Sequence, residues 1–336
     1  MNRIPLVLLT GFLGSGKTTL LNGLLATPAF RNTAVVINEA GAIGLDHLLV
    51  EQGTDSVVML EGGCLCCRTK GTLAPTLANL LRRTRDGDKR PFERVVVETS
   101  GLSDPAAVLE GLIADVFFNR HFAFSGIVTV VDVRAFAGTV AEFEEARMQV
   151  ALADRLMLSK TDLVTVVEMT AVQQMLANIN SYAPQLIALA GSATMATFWP
   201  DLLDLPRALT GTVSVVSAAE PPPIATAALA FSGAIEQDAL EQWLDHTINL
   251  LGPMLLRMKA MLDVKDMPGP TVLHLVQGLL HRPVDLEAWP SADRQNRIVL
   301  IGRDVEEQIL RDALARLSET VRRTAATPSA VRSQRY

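Results

Sequence analysis

The run Gly11-Phe-Leu-Gly14-Ser15-Gly16-Lys17-Thr18 constrains this chain more than any other feature. It is a complete phosphate-loop pattern, with a leading glycine, four intervening residues and a Gly-Lys-Thr close. A short apolar run at residues 4–9 precedes it, and a helical stretch from Lys17 to about Ala26 follows. Strand, loop and helix in that order are the context the motif needs. Gly11, Gly14 and Gly16 let the backbone fold closely round phosphates, so that its N–H groups and the helix N-terminus face the anion. Lys17 would reach the β- and γ-phosphates, and the Thr18 hydroxyl would hold Mg²⁺. Ser15 and Thr19 complete the expected nucleotide-contacting set.

Further short apolar runs follow at 34–38, 56–60, 94–98, 126–131 and 155–159. Helix-like segments lie at 71–85, 105–118, 141–154 and 165–180, the last opening on Thr165-Val-Val-Glu168 with the spacing of a capping box. Apolar strands alternating with amphipathic helices predict an α/β fold with a doubly wound, mainly parallel sheet. The ligand of such a sheet sits at the carboxyl ends of its strands. A proline-rich segment at 218–224 reads as a linker, and a smaller α+β pattern follows it. We expect helices at 235–250 and 305–317 there, and strands near 255–262, 271–277 and 297–301. The expected division is a nucleotide domain over 1–210, a C-terminal domain over 222–320 and a loose polar tail over 321–336.

The run Arg94-Val-Val-Val-Glu98 ends a buried strand on a carboxylate, followed by Thr99-Ser100-Gly101. Glu98 can hold Mg²⁺ directly or through water, and the Gly101 N–H can meet a γ-phosphate, so this loop would sense hydrolysis. Asp104-Pro105 reads as an N-cap with proline at the first helical position. Asp132 reads as a strand-end cap rather than a ligand. After the strand at 155–159, Ser159-Lys160-Thr-Asp162 stands where guanine-reading proteins carry Asn-Lys-x-Asp. The Asp162 carboxylate would accept from two guanine N–H groups, while the Lys160 stem would cover the base. Adenine offers no matching donor pair, so GTP and GDP are the expected nucleotides.

All three cysteines of the chain fall within four residues: Cys64, Cys66 and Cys67. Disulfide scaffolds spread an even number over separate segments, so that reading is poor. Three thiols so close suit one soft ion such as zinc. Gly62 and Gly63 make the necessary coiling cheap, and Arg68 and Lys70 would lower the thiol pKa values. Glu39, Glu61 and a histidine all remain open as a fourth ligand, as does a water. Each of the five histidines reads by itself as structural, and the eleven dispersed methionines as core filler.

Of the 336 residues 49% are hydrophobic and 20% charged, enough core for two domains. A net charge of −6 argues against a general nucleic-acid binder, which needs clustered Lys and Arg. No apolar stretch long enough to span a bilayer occurs, and the N-terminus leads straight into the phosphate loop, so it reads as a strand rather than a signal peptide. Free thiols beside a nucleotide site then place the protein in a reducing, cytoplasmic setting. The composition leaves the oligomeric state open.

Taken together these motifs resemble the CobW family of GTPases. The resemblance rests on Gly11 to Asn22, Asn38-Glu39 with Gly41 and Gly44-Leu45-Asp46, Gly62 to Cys67, Glu98 to Pro105 and Ser159 to Asp162. It extends to the C-terminal part through Arg257-Met-Lys259, Val276-Gln-Gly278, His281 and residues 297–302. It implies a slow GTPase whose Cys-x-Cys-Cys loop binds zinc, cobalt or a similar ion and delivers it to a client metalloprotein. Lys17, Glu39 and Glu98 would then serve hydrolysis, with Glu39 a switch residue near Mg²⁺ or the thiolate metal. Ala40 and Ala42 replace the family's aromatic and second acid, Ser159 replaces Asn, and the His-rich linker of many relatives is missing. Two rival readings are a metal sensor or buffer with a structural nucleotide, and a small-molecule kinase.

Overall fold

The structure, a computed structural model, describes residues 3–37, 57–59, 73–83, 92–188, 198–199, 224–276, 278–289 and 292–326. The chain divides into two compact units, Met1–Asp204 and Leu205–Tyr336.

The first unit is built on β1 (Ile4–Thr10), β2 (Thr33–Ile37), β3 (Val57–Met59), β4 (Arg94–Glu98), β5 (Phe122–Asp132), β6 (Arg155–Ser159) and β7 (Gln185–Ile187). They form one seven-stranded sheet in the order β3-β2-β4-β1-β5-β6-β7, with every pairing parallel. Strands β2 and β6 are buried at every position, as strands covered on both faces must be. Successive residues serve opposite faces. Met157 and Val130 join Val7, Leu9, Leu21 and Leu24 in one core, while Leu156, Leu158 and Val131 join Phe136, Val172 and Leu176 in another. The covering helices are α1 (Lys17–Leu25), α2 (Leu73–Arg83), α3 (Pro105–Ile113), α4 (Val116–His121), α5 (Phe136–Glu142), α6 (Glu144–Ala151) and α7 (Val166–Ile179). The chain's strand order reverses on either side of β1, which lies between β4 and β5. That switch point opens a crevice at the carboxyl end of β1, where the phosphate loop begins.

Two expected helices are each broken in two. The segment 105–118 breaks at Ala114 and Asp115, because the Asp115 carboxylate accepts from the Phe118 N–H and starts a new helix. The segment 141–154 gives way to α5 and α6, which meet at Phe143. That residue stays extended, with its ring 4.7 Å from the ring of Phe12. The capping box at Thr165 forms in full. Its hydrogen bonds, first from the Thr165 backbone N–H and then from its hydroxyl, hold the Glu168 carboxyl below its ordinary range. That contribution to stability is present above the carboxyl's unfolded pKa and fades as pH falls through the lowered one.

The second unit holds β8 (Ile224–Phe231), β9 (Leu255–Leu262), β10 (Thr271–Val276), β11 (Leu279–Leu280), β12 (Val284–Asp285) and β13 (Asn296–Arg303). The antiparallel order is β11-β10-β9-β13-β8, with β12 beside β10. Helices α8 (Gln237–Leu251) and α9 (Glu307–Ala326) cover one face through Trp243, Leu244, Leu310, Leu314 and Leu317. Two expectations are corrected here. Strand β8 starts at Ile224, where the linker reading ended and no strand was expected. The last helix does not stop at 317 but runs to Ala326, so 321–326 is not tail. Val321 continues the apolar stripe of Leu310, Leu314 and Leu317 and is buried. Its Cγ1 lies where a side chain on Gly233 would begin, 2.8 Å from that Cβ position. We therefore expect Val321→Ala, which removes two buried methyl groups, to lower unfolding free energy by about 1.5 kcal/mol in denaturant titration. A frayed end would show no change.

Candidate nucleotide site

The site grows from the turn between β1 and α1. Gly11, Gly14 and Gly16 take φ of 142°, 70° and 93°, conformations that side-chain-bearing residues rarely adopt. Gly11 is excluded from change twice over, since a Cβ there would sit 2.3 Å from the Val130 carbonyl oxygen. The Ser15 N–H closes the turn on the Phe12 carbonyl at 3.1 Å. Gly16 caps α1 without a side chain, so no hydroxyl or carboxylate competes for the helix's first N–H groups. Those N–H groups with the helix dipole make an anion site. The buried Lys17 ammonium donates to the Gly11 carbonyl at 2.8 Å and the Phe12 carbonyl at 3.3 Å, which holds its charge at this loop. Gly14 in the loop and Thr19 in the first turn of α1 are both exposed.

Glu98 reaches the site because β4 pairs with β1 in register, Leu9 against Glu98. Its carboxylate, 2% exposed, accepts from the Thr18 hydroxyl at 2.7 Å. The next residue ties the two strand ends together: the Thr99 hydroxyl donates to Thr10 Oγ1 at 2.9 Å, and its N–H to the Leu9 carbonyl at 2.9 Å. Gly101 then lies against the phosphate loop so closely that a Cβ would meet Leu13 N at 2.6 Å and Leu13 Cα at 2.8 Å. The loop after β4 and the phosphate loop thus touch through backbone. A hydroxyl and a carboxylate side by side at an anion site are hard oxygen donors of the kind Mg²⁺ selects.

At the other end of the site, Ser159 closes β6 against the phosphate loop. Its hydroxyl lies 2.7 Å from the Ser15 carbonyl and 3.1 Å from the Val131 carbonyl, able to donate to either. This short side chain is a tie between strand and loop. Lys160 follows with φ 57° and projects its ammonium onto Asp132, Nζ to Oδ2 2.5 Å. Asp132 caps the turn after β5 as expected, accepting from the N–H groups of Arg134 and Ala135. It also pairs with Lys160, which the sequence reading missed. Asp162 lies on the exposed turn Thr161–Leu163.

The structure therefore brings together Gly11, Gly14, Ser15, Gly16, Lys17, Thr18, Thr19, Glu98 and Gly101, with Lys160 and Asp162 at the end of β6, two strands away from β1. Glu39, Cys64, Cys66 and Cys67 lie outside the described residues. Among the described residues no group of three His, Cys, Asp or Glu side chains could hold a metal ion. No helix among them is long and apolar enough to cross a membrane.

Comparison with known proteins gives a consistent outcome. The family described as "CobW/HypB/UreG, nucleotide-binding domain" matches residues 5–186, and "Cobalamin synthesis protein cobW C-terminal domain" matches residues 224–318. The zinc chaperone YjiA of Escherichia coli is 27% identical over 320 residues, covering 94% of this chain and 99% of that protein. The zinc-regulated GTPase metalloprotein activator 1 of Schizosaccharomyces pombe is 32% identical over 190 residues, 54% of this chain and 45% of that one. The crystal structure of Zn(II)-bound YjiA GTPase superposes with a TM-score of 0.65 at 23% identity, over 94% of this chain and 99% of that one, and so shares the fold.

Proposed function

The chain belongs to the CobW/HypB/UreG family of nucleotide-binding proteins, and from that premise we propose that it is a GTPase metallochaperone whose nucleotide state governs the binding of a divalent metal and its delivery to a client metalloprotein. The observation that carries this is the register at the carboxyl edge of the sheet. Ile37 pairs with both Glu98 and Met59. Ile37 lies two residues before Glu39, and Met59 five before Cys64. Strand spacing sets Met59 roughly 10 Å from Glu98. Strands β2 and β3 thus end at the same carboxyl edge of the sheet as Glu98.

In this reading the loop N–H groups and Lys17 bind the β- and γ-phosphates of GTP. Thr18 and Glu98 would hold Mg²⁺ through oxygen. Mg²⁺ would supply positive charge against the phosphate oxygens there. The Gly101 N–H donates to a γ-phosphate oxygen and is released by hydrolysis. Glu39 joins this switch. Cys64, Cys66 and Cys67 supply soft thiolates for the cargo, zinc or cobalt by their chemistry. Similarity to the zinc chaperone YjiA supports zinc first.

Metal content after dialysis against zinc tests the cargo site: wild type should retain about one zinc and Cys66→Ser far less, and equal retention would remove the thiolates from the account. Asp162 carries the choice of base. Asp162→Ala should lower the preference for GTP over ATP by about a hundredfold, the loss of charge-assisted hydrogen bonds to guanine. Competition binding with the two nucleotides reads it directly.

A further inference from the structure

We propose that Gln149 is the positioning residue of the loop after β4, holding Gly101 where its N–H can meet the γ-phosphate. This rests on the nucleotide-sensing reading of Gly101. Gln149 lies on α6, far from the loop in sequence, and is 1% exposed. Its Nε2 donates to the Gly101 carbonyl at 3.0 Å and to the Ser103 carbonyl at 3.1 Å. Both amide hydrogens are therefore used, one on each end of the turn. Among uncharged side chains only a primary amide offers two N–H bonds from one nitrogen, and glutamine is the longer of the two that carry it.

The bracket is anchored at its base. The Gln149 backbone carbonyl accepts from the Thr129 hydroxyl at 2.7 Å. Thr129 stands opposite Thr10 in the β1–β5 pairing, and Thr10 receives the hydrogen bond from Thr99. The turn is thus fixed at Thr99 from the sheet and at Gly101 and Ser103 from α6. Gly101 itself is pressed against Leu13. A fixed donor, unlike a mobile one, spends no binding energy on ordering itself, so the clamp favours the nucleotide that has a third phosphate. Gln149 touches no phosphate in this account and acts only through the loop.

The test measures the affinity of a non-hydrolysable GTP analogue and of GDP for wild type, Gln149→Met, Gln149→Glu and Gly101→Ala, with thermal melting alongside. Methionine keeps the volume and removes both donors. Glutamate keeps the shape and sets a carboxylate against two carbonyls. The ratio of analogue to GDP affinity should fall about tenfold in the methionine variant, the worth of one charge-assisted hydrogen bond, and further in the glutamate variant. A residue that merely fills space predicts an unchanged ratio for methionine, and that result overturns the proposal. If Gly101→Ala changes the ratio while both Gln149 variants do not, the clamp fails and the sensing loop stands. If none of the three changes it, both fail. If neither Gln149 variant folds well enough to bind GDP like wild type, the residue is structural and the proposal is overturned.

Discussion

Replacing Lys17 with alanine should lower kcat for GTP hydrolysis by roughly a hundredfold to a thousandfold, the usual effect of removing one preorganised charge from a transition state. The lysine is buried and its ammonium sits on two carbonyls of the loop it closes. It is thus held near its place before any phosphate arrives, and little reorganisation is needed when charge develops on the γ-phosphoryl oxygens. The fold should survive, because β1 and α1 are anchored by Leu6, Leu8, Leu9, Leu21 and Leu24, none of which touches the ammonium's role. Phosphate release at saturating GTP, with melting as control, checks it. Hydrolysis within threefold of wild type would contradict the site.

Gly101→Ala is expected to have the next largest effect, on GTP rather than GDP. The added Cβ would lie 2.6 Å from a backbone nitrogen and 2.8 Å from a backbone Cα of Leu13. Neither can step aside without moving the phosphate loop, and Ser159 and Val130 hold that loop from its other sides. The turn after β4 must retreat instead. Overpacking of this kind costs about 1–3 kcal/mol. If that falls on the nucleotide with a γ-phosphate, its affinity drops about tenfold to a hundredfold while GDP changes little. A uniform loss for both nucleotides would mean that Gly101 shapes the loop without sensing the third phosphate.

Much of this arrangement is legible in the residues, for reasons that differ along the chain. Strands β4 and β6 are legible to their ends because each is a continuous apolar run closed by one polar residue, Glu98 or Ser159. The Thr165 capping box is local chemistry and needs no tertiary context. Strand β8 is not legible because Ile-Ala-Thr-Ala-Ala-Leu-Ala-Phe is poor in β-branched and aromatic residues and follows three prolines. Its strand state comes from pairing along the whole of β13, a tertiary override of propensity. Phe143 breaks a helix that its neighbours favour, and Phe12 from a distant loop is what it packs on. The overlooked signals were present at two places. Leu314, Leu317 and Val321 keep helical spacing past the point where the tail was placed. Asp115 before Val-Phe-Phe reads as an N-cap. Gln149 carries no such mark, since a glutamine in a helix is usually solvated, and only the two carbonyls brought to it by the fold single it out. For the site itself, the phosphate loop, Glu98 and Gly101 were legible as local motifs. The Asp132–Lys160 pair was not, because its members are joined only by the pairing of β5 with β6.

A metal gripped by the cysteine cluster should be sensitive to the third phosphate. Zinc titration against a competing chromophoric chelator measures it most directly, in the protein loaded with a non-hydrolysable GTP analogue, with GDP, and without nucleotide. The analogue-loaded form should bind zinc at least about tenfold more tightly than the GDP form, within the usual range of coupling free energies. The difference should vanish in Cys66→Ser. Equal zinc affinities in all three states would contradict that sensitivity.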